Sequence, residues 1–303
     1  MRKIRIGSRD SELALWQAHT VKNKLEAFGY ETEIVAVKSD GDLVLDKPLY
    51  EMGITGIFTK ALDVAMIKNQ IDIAVHSMKD VPTTLPKGIV QKAVLERANV
   101  RDILVFKEDL NFFDSQATIA TGSLRRKAQW LHKYPNHEVV NLRGNVNSRL
   151  QKLHDNPWQG AIFAAAGLER IDKKPDNHIV LDWMIPAPAQ GAVVVVVNER
   201  DAFSCEAVAK LNHANTAICT HIERQFLKFL EGGCTAPIGA YAHFEKDEIL
   251  FEGALFSLDG QTKISVSERI KSSDYQLLGK QCAEKILSNG GEEIMKQLTQ
   301  NKS

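Results

Sequence analysis

The sequence predicts an α/β fold in which two α/β units are followed by a small C-terminal α+β domain. Strand and helix patterns alternate up to residue 75, and a similar alternation returns between residues 118 and 165. After residue 212 the order changes to a helix, three short strands and a last helix. Alternating strands and helices are typical of a mostly parallel sheet with helices on both faces. We therefore expect three domains, which cover residues 1–96 with a return segment 192–211, residues 97–191, and residues 212–303.

The spacing of apolar residues predicts each element of the first two units. Alternating side chains indicate strands, and apolar side chains three or four residues apart indicate helices. In the first unit we expect strands over 2–6, 31–37 and 71–75, helices over 14–28 and 57–68, and a long functional loop over 39–56. In the second we expect strands over 118–121, 139–143 and 161–165 and helices over 124–134 and 146–154. A linker over 186–189 then leads to a strand over 193–197.

The C-terminal region has an α+β pattern. A helix over 216–230 precedes Gly232 and Gly233, which suit the C-terminus of a helix. We expect strands over 238–244, 248–256 and 263–270 and a final helix over 274–288. The Asp-Gly pair at 259–260 is a turn signal between the last two strands.

Composition excludes several classes of protein. The formal net charge of zero gives no global field that would attract nucleic acid or an anionic membrane. No apolar run approaches the roughly 18 residues of a membrane span, and the first residues lack the apolar core of a signal peptide. The four cysteines have neither a C-x-x-C pair nor metal-ligand spacing. We expect a cytoplasmic monomer without metal, disulfides, nucleic-acid partner or membrane partner.

The arginines are distributed unevenly along the chain. None lies between Arg9 and Arg97, whereas seven lie from Arg97 to Arg170. Arginine suits bidentate binding of carboxylate or phosphate, and lysine acts as a solvated point charge. The middle of the chain therefore suits a small molecule with several negative charges, and a solvated basic face is the alternative.

Asp80 follows the predicted buried strand 71–75 and is accompanied by Lys79 and Pro82. In open α/β sheets, ligands bind beyond the carboxyl ends of the strands. A carboxylate at that position could hold ring N–H groups and stabilise a cationic ring. The alternative is an aspartate that caps its own turn.

Arginines also follow other predicted strands. In the run TGSLRR (121–126), Ser123 can cap a helix, while Arg125 and Arg126 stand in a first turn where the helix dipole disfavours cations. An anionic partner would relieve that repulsion, and two solvated arginines are the alternative. A similar turn contains Arg143, and Arg149 lies about one helical turn past Asn145. The segment 8–11, with Arg9 and Ser11, is a third such turn, and Arg170 follows the strand 161–165. Together these arginines could hold several carboxylates.

Cys234 lies between Gly-Gly and Thr-Ala-Pro. A thiol on such a tight loop has little steric cover and could form a covalent bond as the thiolate. A small buried apolar residue is the alternative reading. Cys205, Cys219 and Cys282 lie in helical patterns, where burial is the simpler interpretation.

Taken in order, these segments resemble the porphobilinogen deaminase family. The matching runs are SR with LALWQA (8–9 and 13–18), HSMKDVP (76–82), GSLRR (122–126), LRGNV (142–146), QGA (190–192) and LEGGC (230–234). Each run is short, but the ordered set is highly specific and extends from residue 4 to about residue 290.

The resemblance implies a fold, a cofactor and a reaction. The family has two α/β domains like periplasmic binding proteins, with the active cleft between them, and a third domain. The cysteine matching Cys234 holds a dipyrromethane by a thioether bond. Four porphobilinogens add head-to-tail to this primer, each losing ammonia, and hydrolysis frees hydroxymethylbilane for haem biosynthesis.

The resemblance also implies roles for individual residues. Asp80 would be catalytic and would stabilise cationic pyrroles. Residues expected to bind the cofactor are Cys234, Lys79, Asp80, Thr121, Ser123, Arg125, Arg126, Arg143 and Arg149. Residues expected to bind substrate are Arg9, Ser11, Gln17, Arg170 and Gln190. One departure concerns the loop, where Thr55 replaces a lysine found in many members and Glu51 occupies an often basic position.

Two other functions remain open from the residues alone. A two-lobed anion-binding protein would have a similar fold, because fold does not give function. It would not need Cys234 after two glycines or a third domain. A cysteine-dependent acyl-transfer or hydrolytic enzyme would need a base near Cys234, and no sequence feature identifies one.

Overall fold

The computed structural model describes residues 2–38, 59–230 and 236–300. These residues form two compact units. The first contains residues 2–38, 59–98 and 191–217, and the second contains residues 99–190, 218–230 and 236–300. The predicted loop 39–56 and Cys234 lie outside the described residues. No helix among the described residues is both long enough and apolar enough to cross a bilayer.

The described residues contain thirteen strands and nine α-helices. The strands are β1 (Ile4–Ser8), β2 (Thr32–Ala36), β3 (Ile73–Ser77), β4 (Ile89–Val94), β5 (Asp102–Phe106), β6 (Thr118–Ala120), β7 (Glu138–Val140), β8 (Gly160–Ala164), β9 (His178–Val180), β10 (Val193–Asn198), β11 (Ile238–Glu245), β12 (Glu248–Phe256) and β13 (Lys263–Lys271). The α-helices are α1 (Glu12–Ala27), α2 (Lys60–Ile67), α3 (Leu124–Lys133), α4 (Val146–Asp155), α5 (Ala165–Glu169), α6 (Ala202–Ala209), α7 (Ala214–Phe229), α8 (Leu278–Ile286) and α9 (Glu292–Gln300).

The first unit is built on a five-stranded sheet in the order β2-β1-β3-β10-β4. β1 is parallel to both β2 and β3, and β10 runs antiparallel to its neighbours β3 and β4. Four strands therefore point the same way and one is reversed. The core between this sheet and its helices includes Ile6, Leu25, Ile73, Val195 and Val208. The five consecutive valines of β10 are all buried, as expected for a strand covered on both faces.

The second unit repeats this arrangement in a sheet with the order β7-β6-β8-β5-β9. β6 is parallel to β7 and β8, and β5 is the reversed strand between β8 and β9. Trp130 on α3 is fully buried against one face of this sheet. In both sheets the parallel strands end at one edge, and Arg9, Asp80, Arg125 and Arg143 are among the predicted site residues that follow those ends.

The second unit also contains the C-terminal antiparallel sheet, in the order β11-β12-β13. It packs with α7 and α8 around Phe226, Phe251 and Cys282, which are buried. Burial raises the pKa of the Cys282 thiol to about 12, so this cysteine is not a thiolate at neutral pH. The predicted α/β fold with a small C-terminal α+β part is confirmed.

Candidate functional site

Asp80 lies in a short turn that directly follows a strand of the first sheet. β3 ends at Ser77, and one turn of 3-10 helix covers Met78–Asp80. The backbone N–H of Met78 donates to the carbonyl oxygen of Ala192 at 3.0 Å, which ties the turn to the segment entering β10. The Asp80 side chain is half-buried. No hydrogen bond or ion pair joins its carboxylate to another residue in the part of the chain that the structure describes, so a self-capping aspartate is not observed there.

Arg9, Ser11 and Gln17 lie at or near the same edge of the first sheet. β1 and β3 are parallel neighbours, so Arg9 and the Met78–Asp80 turn follow adjacent strand ends. Gln17 is buried on α1, and its Nε2 donates to Ser77 Oγ at 2.8 Å. Ser11 occupies the N-cap of α1, and its hydroxyl makes no capping bond within the described chain. These positions agree with the strand-end pattern of the sequence, and their substrate contacts stay predictions.

His76 is the buried residue of β3 that precedes Ser77. Burial lowers the pKa of its imidazole to about 4, and the positive charge of Arg9 acts in the same direction. His76 Nε2 is buried without a hydrogen-bond partner among the described residues. At neutral pH His76 is therefore uncharged, which argues against a role as a proton donor.

We expect His76 to make the stability of the protein depend on pH. Between about pH 6.5 and pH 4 the unfolded chain binds a proton at this position and the folded chain does not. The free energy of unfolding should therefore have its highest value above pH 6.5, as far as His76 determines it. It should fall by up to about 3 kcal/mol as the pH drops towards 4. Urea unfolding of the wild type and of His76→Asn at pH 7.0 and 4.5 measures this difference. Equal pH dependence in both proteins would contradict the assignment.

The TGSLRR run contains the tight turn between β6 and α3, over residues 121–123, and the first residues of α3. Ser123 caps the helix, with its Oγ accepting from the backbone N–H of Arg126 at 3.4 Å. Thr121 Oγ1 accepts from the backbone N–H of Ser123 at 3.3 Å. A Cβ on Gly122 would lie only 2.5 Å from the carbonyl oxygen of Leu142, so a larger residue would push two strand ends apart. The predicted helix cap at Ser123 is confirmed.

Arg125 and Arg126 converge on Asp102 at the start of β5. Arg125 Nη1 donates to Asp102 Oδ2 at 2.7 Å and to the carbonyl oxygen of Ile185 at 2.7 Å. Arg126 Nε donates to Asp102 Oδ1 at 2.9 Å, and its Nη1 donates to the carbonyl oxygen of Ile162 at 2.9 Å. The anionic partner expected for these first-turn arginines is thus partly supplied by the protein itself.

The cluster of Arg125, Arg126 and Asp102 holds two guanidinium groups against one carboxylate. Asp102 is fully buried, and the arginines are only 4% and 5% exposed. Burial lowers the pKa of Arg125 although the charge of Asp102 opposes this effect. Arginine stays protonated at neutral pH, so these three residues carry an excess positive charge away from water. Such a cluster favours a further anion nearby.

The other predicted arginines follow the next strands of the same sheet. Arg143 is buried in the turn after β7, and burial lowers its pKa. Asn145 caps α4, and Arg149 turns back so that its Nε donates to the carbonyl oxygen of Gly144 at 2.7 Å. Arg170 ends α5, and burial lowers its pKa to about 10. The segments that follow β6, β7 and β8 therefore all carry partly or fully desolvated guanidinium groups.

Gln190 has an internal role that the sequence did not predict. It is fully buried, and its Nε2 donates to the carbonyl oxygen of Val100 at 2.8 Å and to Asp102 Oδ1 at 3.0 Å. The predicted contact of Gln190 with substrate stays a prediction. Sequence reasoning also missed Asp102 as the centre of the arginine cluster. Its signal is a single acidic residue at the start of the apolar run 103–106.

Two predicted features lie outside the described residues. These are Cys234, the expected point of covalent attachment, and the loop 39–56 with Thr55. Among the residues that are described, no group of three histidine, cysteine or acidic side chains could hold a metal ion.

Comparison with protein families gives a match along most of the chain. The family model for "Porphobilinogen deaminase, dipyromethane cofactor binding domain" matches residues 4–206. The model for "Porphobilinogen deaminase, C-terminal domain" matches residues 217–288. Together the two models include both described sheets that carry the arginines and Asp80, and the C-terminal sheet.

Comparison with solved structures gives matches of low sequence identity to extracellular binding proteins. The probable amino-acid ABC transporter extracellular-binding protein ytmK of Bacillus subtilis is 12% identical, with a TM-score of 0.44 over 70% of this chain and 90% of that chain. The periplasmic VFT2 domain of Bordetella pertussis BvgS is 11% identical, with a TM-score of 0.43 over 69% and 86%.

Curated relatives match over nearly the whole chain. The chloroplastic porphobilinogen deaminase of Oryza sativa subsp. japonica is 41% identical over 302 residues, which cover 95% of this chain and 84% of the relative. The porphobilinogen deaminase of Desulfitobacterium hafniense is 39% identical over 304 residues, which cover 98% of both proteins. The resemblance found in the sequence motifs is confirmed, and the chain belongs to the porphobilinogen deaminase family.

Proposed function

We propose how individual residues of this chain carry out the reaction of its family. As a porphobilinogen deaminase family member the chain is a transferase that condenses four porphobilinogen molecules head-to-tail onto a dipyrromethane cofactor and releases hydroxymethylbilane. In our proposal Cys234 holds the dipyrromethane by a thioether bond, Asp80 is catalytic, and carboxylates are bound by Arg9, Arg125, Arg126, Arg143, Arg149 and Arg170. Lys79, Thr121 and Ser123 assist in cofactor binding, and Ser11, Gln17 and Gln190 assist in substrate binding.

The observation that carries this proposal is the excess of positive charge in the buried cluster of Arg125, Arg126 and Asp102. Arg125 and Arg126 share one carboxylate, and Arg143 is buried in the neighbouring turn. Each porphobilinogen-derived ring bears an acetate and a propionate, so a group of two or more rings supplies several anions. Desolvated guanidinium groups bind carboxylates in a bidentate way and more strongly than they would in water. The residues present therefore fit a dipyrromethane and its growing chain.

Asp80 is proposed to act on the reacting rings. A bound dipyrromethane supplies the free pyrrole α-carbon from which the chain grows. Each condensation removes ammonia from the aminomethyl group of porphobilinogen, forms a carbon–carbon bond at that methylene, and releases a ring proton. The Asp80 carboxylate accepts hydrogen bonds from pyrrole N–H groups and lowers the energy of positive charge on the rings. Its half-buried position after β3, with no partner in the described chain, supports this role.

The finer organisation of the protein is proposed on the same basis. We propose three domains, over residues 1–96 with 192–211, residues 97–191 and residues 212–303, supported by three separate sheets. Arg9 and Asp80 then belong to one domain, and Arg125, Arg143, Arg149 and Arg170 belong to the next. We further propose a cytoplasmic monomer whose partner is porphobilinogen, without nucleic-acid or membrane partners.

The mass of the intact protein tests the covalent attachment. Purified wild-type protein should be heavier than its sequence by one dipyrromethane, and Cys234→Ser should show the sequence mass alone. Cys205→Ser is a matched control, because this cysteine is half-buried on α6 and should keep the increment. An active wild-type protein of unmodified mass would overturn the assignment of Cys234.

A further inference from the structure

Strand β11 lies at the edge of the C-terminal sheet, and its outward backbone groups are covered by other parts of the second unit. The N–H of Ala240 donates to the carbonyl oxygen of Pro186 at 3.0 Å. Two residues along the strand, the N–H of Ala242 donates to Glu223 Oε1 at 2.8 Å. A sheet edge exposes unpaired N–H and C=O groups unless something covers it. Here the covering groups are the segment 186–190 and one glutamate.

Glu223 is a charged side chain with no exposure to solvent. It lies on α7, and its second oxygen, Oε2, accepts from the backbone N–H of Ala189 at 2.6 Å. A buried carboxylate is unfavourable unless hydrogen bonds compensate the loss of water. Its two oxygens join three segments that are distant in sequence: α7, β11 and the segment 186–190.

Ala189 has a backbone conformation that non-glycine residues rarely adopt. Its φ is 62°, in the left-handed region. The turn therefore needs external support, and the bond from its N–H to Glu223 provides it. The next residue, Gln190, points its amide at Asp102, the carboxylate shared by Arg125 and Arg126. A continuous path of hydrogen bonds and adjacent residues thus leads from Glu223 to the arginine cluster.

The described segments on either side of Cys234 meet at Glu223. α7 ends at Phe229, five residues before Cys234, and β11 begins at Ile238, four residues after it. Glu223 belongs to the first of these segments and binds the second through Ala242. Gly239 fits closely beside the same region, since a Cβ there would lie 2.9 Å from Ile185 Cβ.

We propose that Glu223 is a positioning residue that holds the segments flanking Cys234 in register with the Arg125–Arg126–Asp102 cluster. The inference rests on the proposed function, because it assumes that Cys234 carries the group whose carboxylates those arginines bind. A fixed separation between these two flanking segments and the arginines keeps the reacting end of the growing chain in place. A shift of about 1 Å in such a geometry can cost on the order of a hundredfold in rate.

The test compares Glu223→Gln with a control on the same helix. Glutamine keeps the shape of the side chain, but its NH₂ group turns one acceptor into a donor that faces a backbone N–H. Phe226→Leu is the control, because Phe226 is fully buried three residues later and packs against Phe251 without joining the polar path. Cofactor content by intact mass, kcat, KM and thermal unfolding are measured for each protein.

We expect Glu223→Gln to keep the cofactor and lose roughly ten- to a hundredfold in kcat per cofactor-bearing molecule. Phe226→Leu should unfold at a lower temperature with kcat close to that of the wild type. Glu223→Asp, which keeps the charge but is shorter by one methylene, should lie between the wild type and Glu223→Gln, and it replaces Glu223→Gln if that variant does not fold.

Two results would overturn the inference. One is a Glu223 variant with lowered thermal stability and wild-type kcat, which would make the residue purely structural. The other is an equal loss of kcat in Phe226→Leu, which would make the effect a general one of helix α7. A wild-type protein that has no covalent increment and does not consume porphobilinogen would instead refute the proposed function.

Discussion

Replacing Asp80 by asparagine should lower kcat about a thousandfold while leaving the fold and the bound cofactor intact. Asparagine has the shape of aspartate but lacks the negative charge that would stabilise cationic pyrroles. Among the described residues, no hydrogen bond or ion pair joins the Asp80 carboxylate to another residue. Replacing this carboxylate should therefore remove no interaction that stabilises the described fold. Steady-state turnover of porphobilinogen, intact mass and thermal unfolding measure the three expectations.

Asp10→Asn is the matched control for Asp80. Asp10 is exposed just after β1, at the same edge of the first sheet, and carries the same charge. Its neutralisation should leave kcat nearly unchanged, which separates a specific role of Asp80 from a general change in charge. Retention of most activity in Asp80→Asn would remove this residue from the mechanism.

Replacing Asp102 by asparagine should destabilise the second unit by about 3–5 kcal/mol. The change leaves Arg125 and Arg126 side by side in the interior without their shared carboxylate. Removing one partner of a buried ion pair costs far more than the pair contributes, because the remaining charges stay desolvated. Chemical unfolding followed by tryptophan fluorescence measures the loss, because three of the four tryptophans, Trp130, Trp158 and Trp183, lie in this unit.

Two further variants test the cause of that loss. Asp155→Asn removes an exposed carboxylate from the same unit and should change stability by less than about 0.5 kcal/mol. Combining Asp102→Asn with Arg125→Gln removes one of the two facing cations, so the double variant should be more stable than Asp102→Asn alone. A double variant that is less stable by the sum of both single changes would show that the repulsion is unimportant.

Local patterns predicted most elements, because each depends on the spacing of neighbouring side chains. Of the predicted elements, β12 was placed at its observed bounds and β11 within one residue. The strand expected over 139–143 ends at Val140, since the chain turns before Arg143. β4 was not predicted, because Gln91 and Lys92 interrupt its apolar pattern.

The positions of the arginines were predictable, and their partners were not. Strand–turn–helix patterns identify where Arg125 and Arg143 stand along the chain. They contain no information on which distant residue faces them. Asp102 lies 23 residues before Arg125, and the two meet only because β5 is reversed beside β8. The role of Glu223 was not predictable for the same reason, since the backbone N–H groups of Ala189 and Ala242, which it binds, are 34 and 19 residues away.

The reversed strand β10 has a consequence for how the protein is made. The first sheet needs β10 between β3 and β4, yet β10 is about a hundred residues further along the chain than β4. The second sheet uses only the continuous stretch Asp102–Val180. During translation, β3 and β4 therefore emerge from the ribosome well before the strand that joins them. We expect the second sheet to form first. The first sheet can be completed only after β10 has been synthesised, although its other four strands belong to the amino-terminal third of the chain.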